Sequence, residues 1–179
     1  RLGNALAGGG DLDGDGLSEV ILSAAELSEH AARAGSIYIF SGDSTIDSDI
    51  VSAEDRDSKV YSIVNNMSFG STMTFVGDAN GDGRDDLLIG AKGARAHGTK
   101  TGAAYLMLGH ATNFSSGAEM LHTSMDAWYD GAAERDEAGS AVAADGPHER
   151  ACERFAVGLG GAARRAGRPR GARGRGAPT

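Results

Sequence analysis

The sequence predicts an all-β chain of short, repeated strands, and three observations carry that prediction. The first is an internal repeat: Gly3 corresponds to Gly70, Asp11 to Asp78, Ala24 to Ala91, Gly35 to Gly102 and Gly42 to Gly109, each pair 67 residues apart. The second is composition. Glycine is abundant at 28 residues, proline is scarce at 3, and no Gly-X-Y period explains the glycines, so turns must be frequent. The third is the apolar pattern. Val20-Ile21-Leu22 and Leu87-Leu88-Ile89 are short continuous runs bounded by turn residues, as in strands covered on both faces. Stacked four-stranded blades supply that environment. The fold class is therefore a partial β-propeller of four-stranded blades, about two blades and the start of a third, with an irregular C-terminal tail.

Taken in order, residues 1–68 form one blade, with strands expected at Asn4–Gly9, Glu19–Ser23, Ser36–Ser41 and Val60–Val64. Residues 69–138 form a second, with strands near Thr72–Val76, Asp86–Gly90, Ala103–Leu108 and Ala127–Tyr129. Glycine interrupts every window long enough for three helical turns, which disfavours helix. Residues 139–146 (GSAVAADG) open a third repeat, and residues 147–179 are an Arg/Gly/Ala-rich tail. That tail reads either as disordered or as the product of a reading frame slipped near Gly146. A one-nucleotide shift over His148–Val157 permits Thr-Asn-Gly and then Asn-Asp-Leu-Leu-Leu, close to the missing turn and strand.

Chemistry concentrates in two acidic turns, DLDGDGLSE at Asp11–Glu19 and DANGDGRDD at Asp78–Asp86. Oxygen-bearing side chains alternate in each: Asp11, Asp13 and Asp15 in the first, Asp78, Asn80 and Asp82 in the second. A glycine follows (Gly16, Gly83), then a further carboxylate (Glu19, Asp86), and the carbonyls of Leu17 and Arg84 are candidate additional ligands. Calcium takes six to eight oxygen ligands at roughly 2.3–2.6 Å, and alternate side chains in a tight turn converge on one point. Without a cation the clustered carboxylates repel one another. An EF-hand would close with a glutamate at position twelve, but Leu22 and Ile89 stand there. Each turn instead runs into a strand.

Phe69-Gly70, the Asp78–Asp86 turn and Gly90-Ala91-Lys92 together resemble the FG-GAP repeat of integrin α-chain propellers. The first unit has Leu2-Gly3 and Ser23-Ala24-Ala25 in the corresponding places, and Glu19 replaces the last aspartate of its turn. The resemblance covers about residues 1–146. It implies a propeller of about seven blades, with structural calcium in the turn between the first and second strands of each blade. It also implies an adhesion or ligand-binding module, extracellular or on a cell surface, that does no catalysis. A protein or carbohydrate ligand would meet the blade loops, and further blades of the same propeller are expected partners. The loops Ala25–Ala34 and Lys92–Thr101, where the units differ most, are the candidates to face that ligand. The alternative is an accessory propeller domain of a secreted enzyme such as a hydrolase.

Charge narrows the classes further. Residues 1–146 carry 9 Lys+Arg against 23 Asp+Glu, whereas residues 147–179 carry 8 Arg against 2 Glu. The acidic body speaks against a nucleic-acid partner. No apolar run approaches the ~18 residues of a membrane span. The single cysteine, Cys152, has no internal partner, and the start at Arg1, without a methionine, reads as that of a fragment or a processed product. Ser44 with Asp145 and His148 imitates an esterase set, but Ser44 belongs to a variable turn. His30, His97, His110 and His122 lack metal-ligand spacing and read as solvated loop residues, and Trp128-Tyr129 as blade packing.

Overall fold

The computed structural model describes residues 2–42, 56–96, 99–111, 118–144, 155–158 and 164–165. Ser44, His97, Asp145 and His148 lie outside them. Among the described residues the only helical element is a 3-10 turn at His122–Ser124; everything else regular is strand.

The first blade contains β1 (Leu6–Gly10), β2 (Glu19–Ala24), β3 (Ser36–Phe40) and β4 (Ser58–Tyr61), paired antiparallel in that order. The second contains β5 (Phe69–Gly77), β6 (Asp86–Ala91), β9 (Ala103–Met107) and β11 (Ala127–Asp130), also antiparallel and sequential. Between β6 and β9, β7 (Arg95–Ala96) and β8 (Thr99–Lys100) form a small ribbon inside the Lys92–Thr101 loop. The expected order of strands is thus the observed one. The fourth strand starts two residues earlier than expected, and Ile63 and Val64 lie beyond it, 55% and 37% exposed. Ser62 explains the early end: its hydroxyl accepts the Val64 N–H at 3.0 Å and turns the chain.

Two features depart from four-stranded regularity. Strand β10 (Ala118–Leu121), from the second unit, crosses back and pairs parallel with β4, so the first blade gains a fifth, outer strand. Within the stretch read as an irregular tail, β13 (Phe155–Gly158) pairs antiparallel with β12 (Ala141–Ala144), and β14 (Arg164–Arg165) adds to it. Val142↔Val157 and Ala141↔Gly158 in this hairpin match Met73↔Ile89 and Thr72↔Gly90 in the second blade. A third blade therefore begins in phase with the others.

The blades stack through apolar faces. Ala7, Ile21, Ile37, Ile39 and Val60 of the first blade meet Phe69, Met73, Leu87, Ile89 and Met107 of the second. Each fully buried aliphatic or aromatic side chain there contributes roughly 1.5–3 kcal/mol. On its other face the second blade presents Leu88, Ala104, Leu106 and Ala127 to Val157 and Val142 of the third. The Phe-Gly pair has a packing reason. Phe69 is fully buried between the blades, and a Cβ on Gly70, at φ 80°, would sit 2.8 Å from Ile37 Cγ2 and 2.9 Å from Ser23 Cβ. Two aromatic-region expectations change. Trp128 is 49% exposed on the edge strand β11, and His122 is 6% exposed, packed against Phe69 and Tyr105.

Candidate metal centre

Both acidic turns are hairpin connections from the first to the second strand of a blade. The first closes on the pair Gly10↔Glu19 and the second on Gly77↔Asp86, each just after a break in the strand register. Gly16 and Gly83 adopt φ 90° and 88°, a backbone region that side chains resist, so the turn geometry requires glycine there.

In the first turn one carboxylate oxygen from each of Asp11, Asp13, Asp15 and Glu19 falls within 4.8 Å of all the others. Asp11 is held from both sides, Oδ1 accepting the Gly14 N–H at 2.6 Å and Oδ2 the Gly16 N–H at 2.9 Å. Asp13 accepts the N–H of Asp15 at 3.1 Å, and Asp15 that of Leu17 at 2.7 Å. Glu19 lies at the floor, 1% exposed. Its Oε2 accepts the Leu12 N–H, but its Oε1 is buried without a hydrogen-bond partner. Burial, reinforced by the charges of Asp13, Asp11 and Asp15, pushes its pKa up to about 7 despite the Leu12 bond. A buried carboxylate with one unpartnered oxygen, gathered with three more carboxylates, could hold a divalent cation or a proton.

The second turn is built alike and satisfied differently. Asp78 accepts N–H groups from Gly81 at 2.6 Å, Asp82 at 3.0 Å and Gly83 at 2.8 Å. Burial works against its charge, but these bonds and one from Asn80 outweigh that and hold its pKa below the ordinary value. Asn80 accepts the Asp82 N–H at 2.9 Å, and Asp82 accepts that of Arg84 at 3.0 Å. Asp86 is fully buried with both oxygens occupied: Oδ2 by the Ala79 N–H at 2.8 Å and Oδ1 by the Gly109 N–H at 2.9 Å. Burial still raises its pKa to about 6, against those two bonds. Among the described residues, only the first turn gathers its carboxylates within 4.8 Å.

The two turns also touch, which the spacing of residues did not reveal. The Asp85 N–H donates to the Asp11 carbonyl at 2.8 Å, and the Asp11 N–H to Asp85 Oδ2 at 3.0 Å. Arg84 Nε reaches the Asp13 carbonyl at 3.3 Å, and the His110 N–H reaches the Leu12 carbonyl at 2.8 Å. Asp85 stands where the first turn has Ser18, so the repeat itself gives no hint of its role.

Four-stranded blades, repeated in register and each closed by an acidic hairpin turn, define a propeller-type repeat protein. The FG-GAP repeat family matches residues 2–40 and 69–107, and the chain carries two FG-GAP repeats. Among curated proteins no match is found.

Proposed function

We propose that this chain is part of a calcium-binding FG-GAP propeller, in which calcium is a structural ion and the blade loops engage a ligand. The observation that carries the calcium assignment is Glu19, which is gathered with three aspartates and keeps its buried Oε1 without a hydrogen-bond partner. Asp11, Asp13, Asp15 and Glu19 would hold one ion, joined by the Leu17 carbonyl. Asp78, Asn80, Asp82 and Asp86, with the Arg84 carbonyl, would hold a second. In each turn the ion neutralises carboxylates and fixes the hairpin that starts a blade; it carries no chemistry.

The role is structural and adhesive, and the setting is extracellular or at a cell surface, where calcium is abundant enough for turn-borne sites. No helix among the described residues is long and apolar enough to cross a membrane. A protein or carbohydrate partner would meet the loops at 25–34 and 92–101. The first of these is firmly braced: Glu29 pairs with the buried Lys59, Arg33 with Glu26 at 2.7 Å, and His30 lies 4.1 Å from the Tyr61 ring. Bracing of this kind lowers the ordering cost of binding.

Thermal melting of the whole chain in chelator and in 1 mM calcium tests the assignment. Calcium at a hundredfold excess over Kd stabilises by about 2.7 kcal/mol, read as a rise in Tm of several degrees. A melting curve indifferent to calcium contradicts it.

A further inference from the structure

We infer that the two acidic turns bind calcium cooperatively, as one coupled unit, each occupied turn raising the affinity of the other. The inference rests on the calcium reading above and adds a regulatory property to those sites. Two hydrogen-bonded routes join ligand to ligand. In the first, Asp11 exchanges a pair of bonds with Asp85, which stands between Arg84 and Asp86, and the Arg84 side chain holds the Asp13 carbonyl. In the second, Asp86 Oδ1 accepts the Gly109 N–H, the neighbouring His110 N–H donates to the Leu12 carbonyl, and the Leu12 N–H donates to Glu19 Oε2. The terminal carboxylates of the two sites are thereby linked through two short backbone segments. Leu12, at the centre of that link, is fully buried.

Coupling follows because the same backbone must be ordered for either ion. Fixing a turn's φ and ψ angles costs conformational entropy, and residues 11–13 and 84–85 are held in common. The first calcium meets that cost, and the second binds a turn already in place. Repulsion between the two ions opposes this. It acts across solvent-exposed turns, where salt screens charges beyond a Debye length of about 8 Å. Positive coupling therefore requires that ordering outweigh this repulsion, and cooperativity should weaken as salt is lowered.

Calorimetric titration of the whole chain with calcium tests the coupling. Asp13→Ala with Asp15→Ala disables the first turn while leaving every backbone link intact. The affinity of the second turn should then fall by about fivefold or more, the low end of ordinary allosteric coupling. Asp85→Ala removes the side-chain acceptor for Asp11 while the backbone bond and the second route remain, and in that background the same loss of the first turn should change the second turn less than in the unaltered chain. Asp85→Asn removes the charge but keeps an acceptor, and should retain the coupling. If the first-turn variant does not fold, Asp82→Ala, read at the first turn, makes the reciprocal test. Two turns that bind calcium with affinities indifferent to each other overturn the inference and leave the calcium reading standing. Absence of calcium binding at either turn overturns both.

Discussion

The two acidic turns share a spacing and a place in the blade, yet the charge in them is handled in opposite ways. In the second turn the backbone does the work: Asp78 takes three N–H bonds and Asp86 takes one on each oxygen. Asn80 also removes one negative charge relative to Asp13 in the first turn. There, four carboxylates converge within 4.8 Å, and the one at the floor, Glu19, keeps an unpartnered buried oxygen. Glutamate is longer than aspartate by one methylene, and its second oxygen does not take up the bond that Gly109 makes to Asp86 in the other blade. Similar sequence motifs thus give one turn whose buried carboxylate has both oxygens bonded by backbone N–H groups and one whose buried carboxylate keeps an oxygen without a hydrogen-bond partner.

The largest effects should come from breaking the satisfied turn. Asp86→Asn replaces one acceptor oxygen by a donor amide facing a buried N–H, and should destabilise the chain by about 1–3 kcal/mol with or without calcium. Chemical denaturation in both conditions checks this. The matching change in the other turn, Glu19→Gln, should have the opposite sign in chelator. Removing a buried charge among three aspartates should stabilise the calcium-free chain by about 1 kcal/mol, and should weaken calcium binding.

The pH dependence sharpens the same contrast. Folding raises the Glu19 pKa from 4.5 to about 7 and that of Asp86 from 3.8 to about 6. Both groups therefore bind protons more readily in the folded chain, and their contribution to stability is present at low pH and lost as pH rises through 4 to 7. In chelator, melting temperature should fall across that window on account of these groups; in excess calcium the fall should be largely removed, because the ion replaces the proton. Glu19→Gln should remove the upper part of the dependence. The smallest effect belongs to Asn80→Asp, which gives the second turn the same carboxylate pattern as the first. Its calcium affinity should rise a few-fold, and the calcium-free chain should lose a few tenths of a kcal/mol, through like-charge repulsion in a solvent-exposed turn.

Much of this architecture was legible because the repeat placed each strand twice. The apolar runs at Val20–Leu22 and Leu87–Ile89 and the glycines at fixed offsets marked the blade strands, and the alternating oxygens marked both turns. Strand β10 escaped because Ala-Glu-Met-Leu has no alternation, and its pairing with β4 is set by a chain crossover that local pattern does not record. Strand β13 escaped because Phe155–Gly158 sits in an Arg/Gly/Ala-rich stretch whose composition masks four strand residues. His122 has no metal-ligand spacing and reads as a solvated loop residue in sequence, whereas it packs against Phe69 and Tyr105 and burial depresses its pKa. The contact between the turns was hidden for a simpler reason: Asp11 and Asp85 are 74 positions apart and carry no shared motif.

The most direct measurement is a crystal structure of the whole chain grown in calcium. An ion is expected in the first turn, with Asp11, Asp13, Asp15 and Glu19 oxygens at roughly 2.3–2.6 Å and Glu19 Oε1 among the ligands. A first turn without calcium, or a bound ion that leaves Glu19 Oε1 still unpartnered, would contradict it.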